Sequence, residues 1–368
     1  MNEKTQPCTH CGAVHPRVNL TWMGSAELCP ECLQRYTVCC DCCGERIWMA
    51  NDYGTHYLHL CASCRADNYV TCENCGALIP QEDAHYNDED EAYCDSCYER
   101  GYGGTIHNYS YKPEPIFYGD GPLYLGVELE VDEAGKDNIN AVQALRAFNQ
   151  ENVYGYVKSD GSLNDGFELV THPCTLETHL QKVPWRETLE ALRGMGYRSH
   201  APGTCGLHVH VSRKALGKDV YEQEETIAKL LYIFERFWQE ILRFSRRTES
   251  QINHWAARYG YKDRGEEILK EAKHGANGRY ACINLTNTDT IEFRVFRGTL
   301  KYNTVIATLQ FVANLCRVAI SLPEYRIQEF SWPALIEALT QDNCPELVQY
   351  LKERNLYVNE PVTAEREV

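Results

Sequence analysis

The chain has 368 residues, 43% of them apolar, and a formal net charge of −16. That length exceeds one small core and suits two domains. No run of eighteen apolar residues marks a membrane-spanning helix, and the acidic balance argues against broad binding to a phosphate backbone. The opening residues Met1 to Pro7 lack the apolar centre of a secretion signal, so a cytoplasmic protein is expected.

The first element met is a triple repeat. Fourteen of the 19 cysteines precede residue 98, and clustered cysteines in a cytosolic chain are metal ligands more often than disulfides. Cys8-x2-Cys11-Gly12 is followed by Cys29-x2-Cys32, Cys40-x2-Cys43-Gly44 by Cys61-x2-Cys64, and Cys72-x2-Cys75-Gly76 by Cys94-x2-Cys97. The gaps from each Gly to the next Cys are 17, 17 and 18 residues. A glycine after the second cysteine fits a tight knuckle with positive φ, and two such knuckles set four sulfurs around one tetrahedral Zn²⁺. Three structural zinc sites within residues 1–101 are therefore expected. Cys39-x2-Cys42 has the same spacing as Cys40-x2-Cys43, but Gly44 and the matched gap favour the latter pair.

Residues 1–105 carry 16 acidic and 6 basic side chains, a formal −10, and three zinc sites of four thiolates would add −6. Such a surface repels nucleic acid. The ribbons read as a protein-docking module or as a cap on the second domain. Residues 102–121 are rich in Gly, Pro and Tyr, and Pro113 and Pro115 disfavour helix, so an extended linker is expected.

Residues 122–358 read differently. In chain order the pattern predicts a strand over Leu123–Val131, a helix over Asp137–Gln150 and a strand over Gly166–Thr171. A helix over Leu176–Arg193, a strand over Gly206–Ser212 and a long helix over Asp219–Arg246 follow. A hairpin joins Ala281–Leu285 to Thr290–Phe296, and helices over Asn303–Leu322, 332–341 and 345–354 close the domain. Residues 359–368 are left as a tail. Strands interspersed with long helices, with one hairpin, indicate an α+β domain with a mixed or antiparallel sheet.

Three of these strands carry paired ionisable residues. Alternate residues of a strand share a face, so Glu128 pairs with Glu130, His208 with His210, and Glu292 with Arg294. Each pair sits in an apolar string. Buried carboxylates are costly without partners, and a metal is the common partner of several together. Strands meeting in one sheet would make a pocket suited to divalent ions on the phosphates of a nucleotide.

These strings resemble the glutamine synthetase-like carboxylate–amine ligases, and more closely their amidoligase branch. The similarity rests on Glu128/Glu130, on Gly206-Leu-His208-Val-His210-Val-Ser212 and on Glu292/Arg294. It extends to the turn Asp160-Gly-Ser162-Leu163 with Glu168, and to Arg279-Tyr280-Ala-Cys-Ile-Asn284, and covers about residues 122–325. The resemblance implies a glutamine synthetase-like α+β catalytic domain after the zinc ribbons. It implies Glu128, His208 and Glu292 as ligands of one Mg²⁺ or Mn²⁺ on ATP, with Glu130 and Glu168 holding a second. One further acidic ligand of that second site has no counterpart here. Arg294 would contact the transferring phosphoryl group, with Arg297 and Lys158 as further sources of positive charge and His210 as a further candidate for a ligand or substrate role.

The function expected is ATP-dependent amide-bond formation through an acyl phosphate. The partners expected are ATP, a carboxylate and an amine, the acceptor docked by the ribbons when it is a protein or peptide; nucleic acid and membrane are not expected. A non-enzymatic zinc-ribbon adaptor with a lapsed ligase domain is the alternative. A metal hydrolase built on His208 and His210 leaves the Glu-x-Glu and Glu-x-Arg strings unexplained.

Overall fold

A computed structural model describes residues 5–87, 90–99, 104–274 and 278–358; the tail 359–368 lies outside the described residues. The chain divides into two compact units, Met1–Gly104 and Thr105–Val368.

The first unit repeats one device three times. A short antiparallel hairpin flanks each first knuckle: Thr5–Pro7 with Val14–Pro16, Thr37–Cys39 with Arg46–Trp48, and Tyr69–Thr71 with Leu78–Pro80. The knuckle closes by Gly12, Gly44 and Gly76 donating their N–H to the carbonyls of Cys8, Cys40 and Cys72 at 2.8–2.9 Å. All three glycines have φ of 70–75°, a conformation that a side chain disfavours. Each second knuckle opens a short helix, Pro30–Tyr36, Ala62–Asn68 or Asp95–Glu99. The first two helices run straight into the leading strand of the next repeat. Apolar packing is meagre. The three cores are a few side chains each, mostly the cysteines with Leu28, Ile47, Leu60 or Tyr93.

The second unit is built on a seven-stranded mixed sheet. Its strands are β1 (Ile106–His107), β2 (Leu125–Val131), β3 (Gly155–Lys158), β4 (Phe167–Thr171), β5 (Gly206–Ser212), β6 (Ile283–Asn284) and β7 (Thr290–Arg297). Their spatial order is β1-β3-β4-β2-β5-β7-β6. Only β1 and β3 run parallel; every other neighbouring pair is antiparallel. One face is apolar. Leu125, Val127, Leu129 and Val131 of β2, Leu207, Val209 and Val211 of β5, and Ile291 and Phe293 of β7 are fully buried in a single core. The helix Tyr302–Ser321 packs on β5 and against the helices Val220–Arg236 and Pro345–Glu353. It is long and apolar enough to cross a membrane by composition, yet 83% of its most apolar window is buried inside the protein. It is the central helix of this core.

The sheet departs from simple alternation once. Val209 pairs with Phe293 but Leu207 pairs with Phe296, so β7 carries one extra residue opposite β5. This bulge resets the phase of the strand: Phe296 rejoins the apolar face, where it meets Phe244 and Phe311, and Arg297 comes opposite Gly206.

Several elements differ from the sequence expectation. The helix expected over Leu176–Arg193 is two, Leu176–Gln181 and Trp185–Gly194, because Pro184 cannot continue the first. The helix expected over Asp219–Arg246 breaks at Phe237 (φ −105°, ψ 35°) into Val220–Arg236 and Trp238–Ser245. Both rings at the break are buried, and Phe237 packs edge-on against Trp332. Apolar periodicity runs through this break, so sequence pattern does not mark it. β3 was not expected. Gly155 interrupts its pattern because a Cβ there would lie 2.3 Å from the Val170 carbonyl oxygen. β1 lies inside the segment read as a linker, so that segment enters the sheet as an edge strand before running on. Helices Glu249–Trp255 and Gly265–His274 fill a stretch to which no element was assigned.

Candidate functional site

In the first unit the four Sγ atoms of Cys8, Cys11, Cys29 and Cys32 lie within 4.8 Å of one another. So do those of Cys40, Cys43, Cys61 and Cys64, and those of Cys72, Cys75, Cys94 and Cys97. Cys39 and Cys42 are exposed and stand outside these groups. The sulfurs of Cys11 and Cys29, Cys43 and Cys61, and Cys75 and Cys94 are 3.9 Å apart. Tetrahedral Zn–S bonds of about 2.3 Å put sulfurs about 3.8 Å apart, so the quartets fit that ion. Burial opposes ionisation of Cys8 and Cys72, but backbone N–H groups aimed at the sulfurs outweigh it and bring both thiols down to about 6. For Cys40 the N–H groups of Cys61 and Cys43 are the leading influence, with the same result. Burial and neighbouring sulfurs push Cys32 up. Four thiolates in contact need a cation to coexist.

In the second unit the polar face of the sheet gathers its ionisable residues in rows across the strands. Lys158 of β3 lies beside Glu168 of β4, which lies beside Glu130 of β2. Glu128 of β2 lies beside His208 of β5. His210 of β5 lies beside Glu292 of β7, and Asn284 of β6 follows. Side chains close the arrangement. His208 Nδ1 is 3.3 Å from Glu128, 3.6 Å from Glu292 and 3.8 Å from Glu130. His210 Nε2 is 3.2 Å from Glu128 and 3.9 Å from Glu292. Lys158 Nζ is 3.3 Å from Glu168, and Arg294 is paired with Glu292. Asn284 donates to Glu292 at 2.8 Å and fixes the carboxylate from the far side.

Two overlapping triads offer ligand atoms close enough for one ion: Glu128, His210 and Glu292, and Glu128, Glu168 and His208. The sequence reading grouped Glu128 with His208 and Glu292, and Glu130 with Glu168. The structure brings all these residues together and places His210, the further candidate, in one triad, while Glu128 reaches both. Glu130 is engaged by the Gly206 N–H. Glu128 and His210 each keep 19% of their side chain exposed, against 3–5% for Glu130, Glu168, His208 and Glu292.

The electrostatics are those of crowded like charges. Burial works to raise Glu128, but His210 and His208 hold it well below the ordinary carboxylate value. Glu292 is lowered in the same way, with burial outweighed by His210, His208 and Arg294. Glu168 is pushed well above the ordinary value, by burial first and then by Glu128, and burial raises Glu130. His210 is raised because Glu128 and Glu292 outweigh its burial. A hard divalent cation would resolve this conflict, and carboxylates with imidazole are ligands it accepts.

Asp160, Ser162 and Arg247 join Glu130, His208 and Arg294 in lining one cavity. Ser162 donates its backbone N–H to Asp160 at 2.7 Å, which forms the Asp-Gly-Ser turn. The Nε atoms of Arg294 and Arg297, and Nε and Nη1 of Arg247, are buried without hydrogen-bond partners. Guanidinium donors left open beside a carboxylate cluster suit the oxygens of a phosphoryl group. From sequence, Arg246 and Arg247 suit a phosphate contact and a helix C-terminus equally. The fold brings Arg247 over Gly206: a Cβ there would lie 2.3 Å from His208 and 3.0 Å from Arg247, so the glycine that opens the His-x-His string makes room for both.

The model of a family described as "putative amidoligase enzyme" matches residues 146–316. Among curated proteins no relative of the chain is found. Among solved structures, a bifunctional glutathione synthetase from Pasteurella multocida aligns at 15% identity, covering 63% of this chain and 46% of that one, with a TM-score of 0.31. The ligase PafA, solved in complex with the prokaryotic ubiquitin-like protein Pup, aligns at 10% identity, covering 63% of this chain and 62% of that one, with a TM-score of 0.30. The chain thus spans less than two thirds of either protein, and at these scores the likeness decides nothing about activity. The family match and the strands that carry Glu168, His208 and Glu292 fall in one region, so the second unit is similar to the putative amidoligase enzymes over residues 146–316.

Proposed function

We propose that the second unit joins a carboxylate to an amine at the expense of ATP, through an acyl phosphate, and that the cysteine-rich unit docks an acceptor carried on a protein or peptide. The observation that supports this most is the meeting of four carboxylates and two imidazoles with unpartnered guanidinium nitrogens on one sheet face. A carboxylate does not condense with an amine unaided, because hydroxide is a poor leaving group. Phosphorylation supplies a better one. Mg²⁺ or Mn²⁺, about two ions, would screen the phosphate charge and polarise the transferring group.

The protein's own share is positioning and charge. Glu128, His208, His210 and Glu292, with Glu130 and Glu168, would hold the ions. Glu292 anchors Arg294, whose unpartnered Nε would be available to a phosphoryl oxygen. Arg247 and Arg297 add positive charge that is already desolvated and needs no reorganisation. Lys158, kept protonated because Glu168 and Glu128 outweigh its burial, balances Glu168. The three Cys quartets hold zinc, and the acidity of their unit favours a basic peptide over nucleic acid. Reduced, clustered thiols suit the cytoplasm.

ADP release, with a matching mass gain on a candidate acid in a mixture of metabolites and cellular peptides, tests the reaction. Glu128→Gln and Glu292→Gln should each lower ATP turnover at least about a hundredfold with the unfolding transition nearly unmoved. Turnover at the parent rate in either variant would remove the metal assignment. An adaptor with a lapsed ligase domain gives no ADP at all. Removal of residues 1–104 should spare small-molecule turnover and lose a macromolecular acceptor.

A further inference from the structure

A second cavity, of about 600 Å³, lies in the same unit and plays no part in the site above. Arg193, Arg198, Arg246, Lys301 and Arg354 line it, and the only carboxylate among the lining residues is Glu353. Glu353 is held by Lys301 at 2.8 Å. This concentration of positive charge stands out in a chain of net charge −16. The helix Tyr302–Ser321 begins at its wall, with no side-chain cap and no acidic residue in its first turn, so the positive end of its dipole adds to the field. His200, also in the lining, adds no negative charge and accepts from Arg246 at 3.2 Å.

The cavity is separated from the carboxylate site by the segment Arg198–Thr204. Ser199, His200 and Ala201 face the basic cavity and Thr204 faces the other, while Ser199 Oγ donates to the Glu130 carbonyl at 2.7 Å. Arg246 and Arg247 divide in the same way. Arg246 adopts the left-handed conformation (φ 65°, ψ 11°), and it lines the basic cavity while Arg247 lines the carboxylate cavity. A left-handed residue other than Gly or Asn is strained. Here the strain turns two successive guanidinium groups into different cavities.

We propose that this basic cavity is a separate binding site for a small polyanion bearing phosphoryl or clustered carboxylate groups. Its volume suits a metabolite-sized ligand, and arginine forks match both oxyanions. The inference is independent of the reaction assigned to the carboxylate site. Calorimetry on the full chain, with no added divalent ion, tests it with inorganic pyrophosphate and with citrate as probes. The double variant R193Q/K301Q should weaken the preferred probe at least tenfold, and Arg198→Gln alone about threefold, while E128Q/R294Q leaves it within twofold. Preference between pyrophosphate and citrate names the oxyanion. No binding of either at millimolar concentration overturns the site. So does affinity that both R193Q/K301Q and Arg198→Gln leave unchanged, or that falls as far in E128Q/R294Q, since the anion would then sit among the metal ligands.

Discussion

The two units solve the same problem with different means. The second buries one continuous apolar core beneath a seven-stranded sheet. The first has three clusters of a few side chains, and most of their buried members are cysteines. Polar sulfur therefore occupies the place that leucine and phenylalanine hold in the second unit. A small module lacks the volume for a self-sufficient core, and its cysteine quartets are placed to take a metal in that role. The second unit, free of that need, gathers ionisable residues on its polar sheet face.

Zinc removal breaks the comparison most sharply. Structural zinc contributes on the order of 10 kcal/mol of folding free energy per site. Chelation should therefore unfold the first unit while the urea transition of the second persists. Metal analysis should give three zinc ions per chain, and two for Cys8→Ser, Cys40→Ser or Cys72→Ser. One zinc or none in the parent protein, purified under reducing conditions, would defeat this.

The converse test lies in the apolar core. Phe311 is fully buried and stacks on Phe244 at 4.3 Å. Phe311→Ala should destabilise the second unit by about 3–5 kcal/mol and leave zinc content at three. A fall in zinc would mean that the two units share one folding transition.

His179 offers a third contrast, a buried imidazole kept by hydrogen bonds and not by metal. Its Nε2 meets the Leu125 carbonyl at 3.1 Å, and Trp185 donates to Nδ1 at 3.3 Å. Burial brings it from 6.5 down to about 4. The unfolded chain takes up this proton first, so the contribution is intact above about pH 6.5 and is lost as pH falls toward 4. That window corresponds to about 3 kcal/mol. Urea midpoints of the second unit between pH 7 and 5 should fall more steeply than those of His179→Gln. Parallel slopes would show that His179 does not titrate there.

The smallest effect belongs to the knuckles. Gly44 has φ 75° and open space around the site of a Cβ, so Gly44→Ala carries only the backbone cost of about 1–2 kcal/mol. Zinc retention with a modest loss of affinity is expected. A loss of all zinc would show that the knuckle tolerates no strain.

Legibility in the sequence followed the same division. The cysteine quartets were readable because covalent spacing alone brings four sulfurs within reach, and even the choice of Cys40 and Cys43 followed from Gly44. The ionisable strands were readable because alternation exposes paired charges such as Glu128 and Glu130. What escaped depends on tertiary neighbours. β3 hides behind Gly155, whose need is a close approach to Val170. Asn284 belongs to the Arg279–Asn284 string, but its bond to Glu292 requires the pairing of β6 with β7. Arg247 becomes meaningful only when the end of a helix is folded back over Gly206.

The bulge in β7 bears on how this chain can vary in length. Arg294 and Val295 together stand opposite His208, since Phe293 faces Val209 and Phe296 faces Leu207. Loss of Val295 would leave every other partner in register: Phe296 would still reach Leu207 and Arg297 would still reach Gly206. The loss would be one buried side chain and the bend. A deletion of any residue from Ile291 to Phe293 would instead exchange the two faces of part of the strand and send charge into the core. Among natural variants of this strand, a one-residue gap is therefore expected at the bulge and nowhere nearer the hairpin.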